Sequence, residues 1–134
     1  MRCSPAARPA TPPEAWTLGA RLTAKLLVTG LIRSAESAGG QAMVLARGDE
    51  TAGAILLITM EKGEIRAILE RAIAPDGRYK WVRAGPANSG NLPINQAAVD
   101  EYIGRRRRSD PDIWVVELNI ADAERFAADT TGDD

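Results

Sequence analysis

The chain has 134 residues, 45% hydrophobic and 26% charged, with 17 basic against 18 acidic side chains, one cysteine and no histidine. That length and balance give one domain with one core. The missing histidine and the lone Cys3 exclude a histidine general base, a Cys/His zinc site, a haem histidine, a cysteine nucleophile with a histidine partner and a disulfide scaffold.

Residues 1–19 hold the Pro-rich run "MRCSPAARPATPPEA" and read as a disordered tail. The apolar stretch "KLLVTGLIR" is broken by Thr29 and Gly30 and is too short for a secretory leader. No run reaches the roughly 20 apolar residues of a membrane span. With no cysteine pairs, a reducing cytoplasm is the expected location.

After the tail, Leu22, Leu26, Leu27, Leu31 and Ala35 recur at helical spacing, and the helix ends near Gly39 and Gly40. The period then falls to two. "QAMVLA", "AILLITM", "IRAILERA" and "RYKWVR" are β-prone runs separated by "RGDETAG", "EKGE" and "APDG", which carry turn chemistry. After the loop "AGPANSGNLPI", Asn95 caps a second helix that runs to about Arg108, and "DIWVVELNI" forms a last strand.

The expected fold is therefore α+β: helix, antiparallel meander of three or four strands, helix, final strand, in a two-layer sandwich. The single domain covers residues 20–120, and residues 121–134 read as an acidic tail. Two strands are apolar on both faces, Ala54 to Met60 and the one holding Trp114, Val116, Leu118 and Ile120 opposite Ile113 and Val115. Both faces of the middle of the sheet thus need cover. If both helices packed on one face, the other would need a second subunit or a partner.

Four arginines in a row, Arg105 to Arg108, are the most conspicuous feature. On a helix they step by about 100° each and fan around most of the circumference, so they cannot all track one phosphate backbone. Val99, Tyr102 and Ile103 form the inward stripe and Arg106 continues it with its aliphatic stem. Arginines in a last turn also suit the negative end of the helix dipole, and "SDP" then stops the helix.

The net charge hides an asymmetry: ten basic against five acidic residues from Lys62 to Arg108, and one against eight from Ser109 onward. A nucleic-acid or polyanion site is the alternative reading. It would use Arg78, Lys80, Arg83 and part of the arginine run, with Tyr79 or Trp81 stacking on bases. Asp110 and Asp112, with Asp49 or Glu117, would be the acidic residues of a carboxylate or metal enzyme, but no metal-binding frame surrounds them. The glycines form no phosphate-binding loop, and "RGD" at Arg47 to Asp49 is ordinary turn sequence.

Four stretches together carry a resemblance: "RL" at Arg21 and Leu22, "VTGLIRSAESAG" from Val28, "VLARGDETAGAILL" from Val44, and "VDEYIGRRRRSDPDIWVVEL" from Val99. The combination resembles the DUF1491 family, small bacterial proteins of unassigned function. The resemblance spans about 100 residues. It implies a bacterial, cytoplasmic protein and supplies no catalytic residues. The leading expectation is a non-catalytic protein-interaction module or homodimer without cofactor or metal. Its interaction candidates are Arg105, Arg106, Asp110, Asp112, Trp114, Tyr79 and Trp81.

Overall fold

A computed structural model of the chain describes residues 23–86 and 94–132. The segment read as an N-terminal tail, residues 1–19, lies outside them. The elements in chain order are α1 (Ala24–Ser37), β1 (Gln41–Ala46), β2 (Ile55–Glu61), β3 (Glu64–Ile73), β4 (Tyr79–Ala84), α2 (Gln96–Ser109), β5 (Trp114–Asn119) and α3 (Ala123–Thr131).

Local chemistry sets these boundaries. Thr23 caps α1 by accepting from the backbone N–H of Leu26, and Asn95 caps α2 by accepting from Ala97 and Ala98. Lys62 and Gly63, both at positive φ, join β2 to β3 in a two-residue turn of the kind that matches strand twist. A Pro-Asp-Gly turn with Gly77 at φ 86° joins β3 to β4, where Gly77 N–H donates to Ala74.

The sheet has five strands in the order β1-β5-β2-β3-β4. Neighbours are antiparallel except β2 and β5, which run parallel. The architecture is thus α+β with a mixed sheet, and the expected meander needs correction. Strands β2 to β4 do form one, but β5 inserts between β1 and β2. The reason lies in burial: Ile55 to Thr59 and Trp114 to Val116 are buried on both faces of their strands, and central positions are where such strands belong.

Side-chain alternation sorts the helices by face. Arg71 and Trp81 pair across β3 and β4, and Trp81 Nε1 donates to Thr131 of α3. Glu70, one residue earlier and hence on the opposite face, accepts from Arg106 of α2. On the first face α1 lies over β1 and β5, α3 over β2 and β4, and the two helices touch. These contacts put helices on both faces, which departs from the expected two-layer sandwich. A further departure comes at the end of the chain. The stretch read as an acidic tail holds α3, whose Ala123 and Ala127 are buried, with Phe126 and Ala128 packed against the core.

Candidate functional site

The four arginines separate according to where a helical step of about 100° sends them. Arg106 turns inward and is half-buried, while Arg105, Arg107 and Arg108 are exposed. Arg106 makes a two-pronged pair with Glu70, Nη1 to Oε1 at 2.9 Å and Nη2 to Oε2 at 2.8 Å, and its Nη1 also donates to the Tyr102 hydroxyl at 2.8 Å. The hydrogen bond it donates to Glu70 is the largest influence holding the Arg106 guanidinium above its ordinary pKa, with burial opposing it. Arg105 lies 5.7 Å from the centre of the Tyr102 ring. The run is therefore one structural tether on β3 with three outward cations, and not a continuous basic trough.

The acidic candidates belong to a different cluster, the junction of the β1–β2 loop with the entry to β5. Asp49 Oδ2 accepts from the N–H groups of Thr51 and Ala52, and Asp49 N–H donates to the Asp112 carbonyl at 2.9 Å. Trp114 Nε1 donates to the Asp49 carbonyl at 2.7 Å. Asp110 Oδ1 accepts from Asp112 N–H, turning the chain out of α2. The loop also closes the start of α1, where Ala24 and Lys25 N–H groups donate to the carbonyls of Thr51 and Glu50. Gly48 and Gly53 let this loop lie against β5, since a Cβ on either would strike the Asp112 carbonyl and the Trp114 ring.

Asp49, Asp110 and Asp112 thus serve turns. No group of three or more His, Cys, Asp or Glu side chains is placed to hold a metal among the described residues. Trp114 is buried, and Arg47 covers its ring at 5.5 Å.

The proposed stacking pair also has structural work. Trp81 is 6% exposed, too little for a base to stack on, and its Nε1–H is engaged by Thr131. Arg71 covers the Tyr79 ring at 3.8 Å. Arg83 pairs with Glu124 of α3 at 3.0 Å, which raises its pKa through that hydrogen bond. Of the basic residues on β4 and its approach, Arg78 and Lys80 remain exposed without a carboxylate partner among the described residues.

A surface that the sequence reading passed over lies on the α2 side of the sheet. Tyr102 sits against Gly85, just past β4, and Arg106 reaches β3, so α2 covers the β3–β4 half. On the other half, Glu117 lies on the same face as its partners Met43 of β1 and Ile58 of β2, followed two residues on by Asn119 opposite Gln41 and Met60. Met43 is 56% exposed, and Leu45, at the bulge in β1, is 48% exposed. Glu117 and Asn119 are half-exposed, and Glu117 has no hydrogen-bond or ion-pair partner among the described residues. β1 is also an edge strand, and its sequence QAMVLA contains no charged residue and no proline. That absence was the available sequence signal, and it has meaning only once β1 is known to be at an edge.

Similarity to known proteins covers this whole framework. A crystal structure of a DUF1491 family protein from Caulobacter crescentus CB15 is 34% identical, spans 78% of this chain and 94% of its own, and superposes with a TM-score of 0.65. An NMR structure of a DUF1491 family protein from the same organism gives 34%, 78%, 91% and 0.61 in the same order. The solution structure of protein Atu0922 from A. tumefaciens gives 26%, 76%, 88% and 0.60. No curated protein matches the chain. The family model for the protein of unknown function DUF1491 matches residues 22–128, from the start of α1 into α3, and the chain belongs to that family.

Proposed function

We propose that the chain is a non-catalytic contact module that engages another protein chain through edge strand β1 and the partly exposed Glu117 and Asn119 beside it on β5. The observation that carries this reading is β1 itself: an uncharged edge strand with Met43 56% and Leu45 48% exposed. Edge strands of soluble proteins are normally blunted by lysine, proline or inward charge, because their unpaired N–H and C=O groups invite another strand. The opposite edge, β4, carries Lys80 and Arg83 and is protected in that way. β1 has only the irregularity between Val44 and Ala46. An exposed apolar edge strand suits a partner that adds contact area along it.

Two further features support a contact function. Of the acidic candidates, Asp49, Asp110 and Asp112 serve turns, away from Glu117 on β5. The arginines of α2 are divided between a tether to Glu70 and separate outward directions. No described helix is long and apolar enough to cross a membrane, and cytoplasmic placement is part of this proposal.

The test is site-specific photo-crosslinking in cells, with the reactive side chain at Met43 and, as control, at Ile73, which is 64% exposed on β3. The expected result is an adduct from position 43 and none above background from position 73. Equal yields at the two sites would refute the proposal.

A further inference from the structure

We infer that the chain seated on the open face is a second copy of this protein, and that the last turn of α2 holds it there. The inference rests on the contact reading above and adds the partner and its charge pairing.

Two sets of unmatched charges lie on the α2 side of the sheet. Six described cations lie on a carboxylate: Lys25 and Arg47 meet Glu50, Arg66 meets Glu64, Arg83 meets Glu124, Arg106 meets Glu70 and Arg125 meets Asp129. Arg107 and Arg108 are exposed and have no such partner among the described residues. Glu117 is the converse case. It is a half-exposed carboxylate on central strand β5, beside Met43 and Ile58, with no cation among the described residues. A carboxylate drawn partly out of water among apolar side chains is stabilised when a guanidinium reaches it.

Among the described residues these opposite charges do not meet. Arg106 is directed at Glu70 on β3, so the next two helical steps turn Arg107 and Arg108 away from their own sheet. Glu117 is two strands from Glu70, about 10 Å across the sheet. Arg107 and Arg108 leave the helix about 100° apart, both away from Glu70, and Glu117 looks out on the α2 side of the sheet.

A two-fold axis solves both problems at once. It lays the end of each α2 on the Met43–Glu117 end of the other copy's sheet, beyond the buried Ile58 and Val115, with an arginine of the pair over Glu117 and its aliphatic stem along Met43 and Met60. Such an interface is self-complementary and closes at two chains. β1 brings no charge to it, so the strand meets no like charge from its symmetry mate. A second copy brings the opposite charge for both sets in one symmetric contact.

Sedimentation velocity on the full chain tests the inference, with charge-swapped variants. The wild type is expected to sediment as a dimer. Glu117→Arg alone, and Arg107→Glu with Arg108→Glu, should each weaken dimerisation tenfold or more, and all three substitutions together should restore it to within a few-fold. Circular dichroism and tryptophan fluorescence check that each variant is folded. If a reversed variant does not fold, Glu117→Gln and a salt titration replace it, and the wild-type dimer should weaken several-fold between about 50 and 500 mM salt. A wild type that stays monomeric, a dimer indifferent to both sets of charges, or a triple variant no better than the singles would overturn the inference. A monomer that still cross-links from position 43 to a different protein overturns the second copy and leaves the contact module standing, whereas absence of any adduct at position 43 removes both.

Discussion

Replacing the four arginines one at a time by alanine should give four unlike results, with Arg106→Ala the outlier. The pair it breaks has two hydrogen bonds of 2.9 and 2.8 Å to Glu70 and a third of 2.8 Å to Tyr102, with the two charged side chains 26% and 28% exposed. Fully exposed ion pairs contribute about 0.2–1 kcal/mol, and truncating one member of a fully buried pair costs about 3–5 kcal/mol. About a quarter of each side chain remains in contact with water, so screening discounts the buried figure. We expect a loss of about 2 kcal/mol for Arg106→Ala. Of this, a double-mutant cycle with Glu70→Ala should assign about 1 kcal/mol to the pair, the rest reflecting the Tyr102 bond and the packing of the stem. For a domain of this size about 2 kcal/mol lowers Tm by roughly 10 °C.

Arg105→Ala, Arg107→Ala and Arg108→Ala should each fall within about 0.5 kcal/mol of the wild type, as exposed substitutions do. The assay is urea unfolding followed by the fluorescence of the buried Trp81 and Trp114. Protein concentration is held low so that self-association does not add to the apparent stability. If Arg106→Ala costs no more than Arg107→Ala, the division of the run into one tether and three outward cations is wrong.

Four other outcomes follow from the same contacts. Ending the chain at residue 121 removes α3, with its buried Ala123 and Ala127 and the Thr131 hydroxyl bonded to Trp81, and should cost more than about 3 kcal/mol or abolish soluble expression, where loss of a mere acidic tail would leave the melt unchanged. Gly48→Ala or Gly53→Ala should lower stability by about 2 kcal/mol or more, read by urea unfolding, because the added methyl meets the backbone of Asp112. Trp114→Phe keeps most of the ring but loses the donor to the Asp49 carbonyl, and should cost about 1–2 kcal/mol in the same assay. The Arg106 pKa is raised in the folded state, so its stabilisation is present in full below the ordinary guanidinium value and lost only above it; the stability difference between wild type and Arg106→Ala should therefore hold from about pH 7 to 9.

Local features of the fold were legible because short-range chemistry determines them. The Asn95 cap, the turns at Lys62–Gly63 and Gly77 and the apolar run of β2 all lie in contiguous residues, and each matches its element to within a residue or two. Strand order was not legible. The pairing of β5 with β1 and β2 joins residues more than fifty positions apart in sequence, and turn chemistry carries no information about it. The last helix was missed because its apolar residues are mostly alanines, Ala123, Ala127 and Ala128, with Phe126 the one large side chain among acidic neighbours. Helix packing on that side turns on small residues, and composition scores such a segment as solvated. Of the nominated site residues, Arg106 was read as continuing the inward stripe of α2 and reaches Glu70, whereas Trp81, nominated for stacking, is buried and bonded to Thr131. The open face escaped notice because Met43 and Glu117 are neighbours only across the β1–β5 pair.

Family membership carries fold here and not chemistry, and the stretches that reveal it explain why. "RGDETAGA" and "DPDIW" dock on each other: Gly48 and Gly53 make room, Trp114 Nε1 holds the Asp49 carbonyl, Asp49 N–H holds the Asp112 carbonyl, and the loop's own carbonyls receive the first N–H groups of α1. Gly48, Asp49, Gly53, Asp110 and Trp114 are each restricted by a contact to backbone inside one chain, so that part of the pattern is what α1, β1, β2 and β5 require to meet. Substituting there tests folding. β1 and the outer turn of α2 are under no comparable internal restriction: Met43, Leu45, Glu117, Arg107 and Arg108 could become ordinary polar residues without disturbing a described hydrogen bond. Side chains that the fold leaves free, yet that combine an uncharged edge with unmatched opposite charges, are where a function carried by contact would be written.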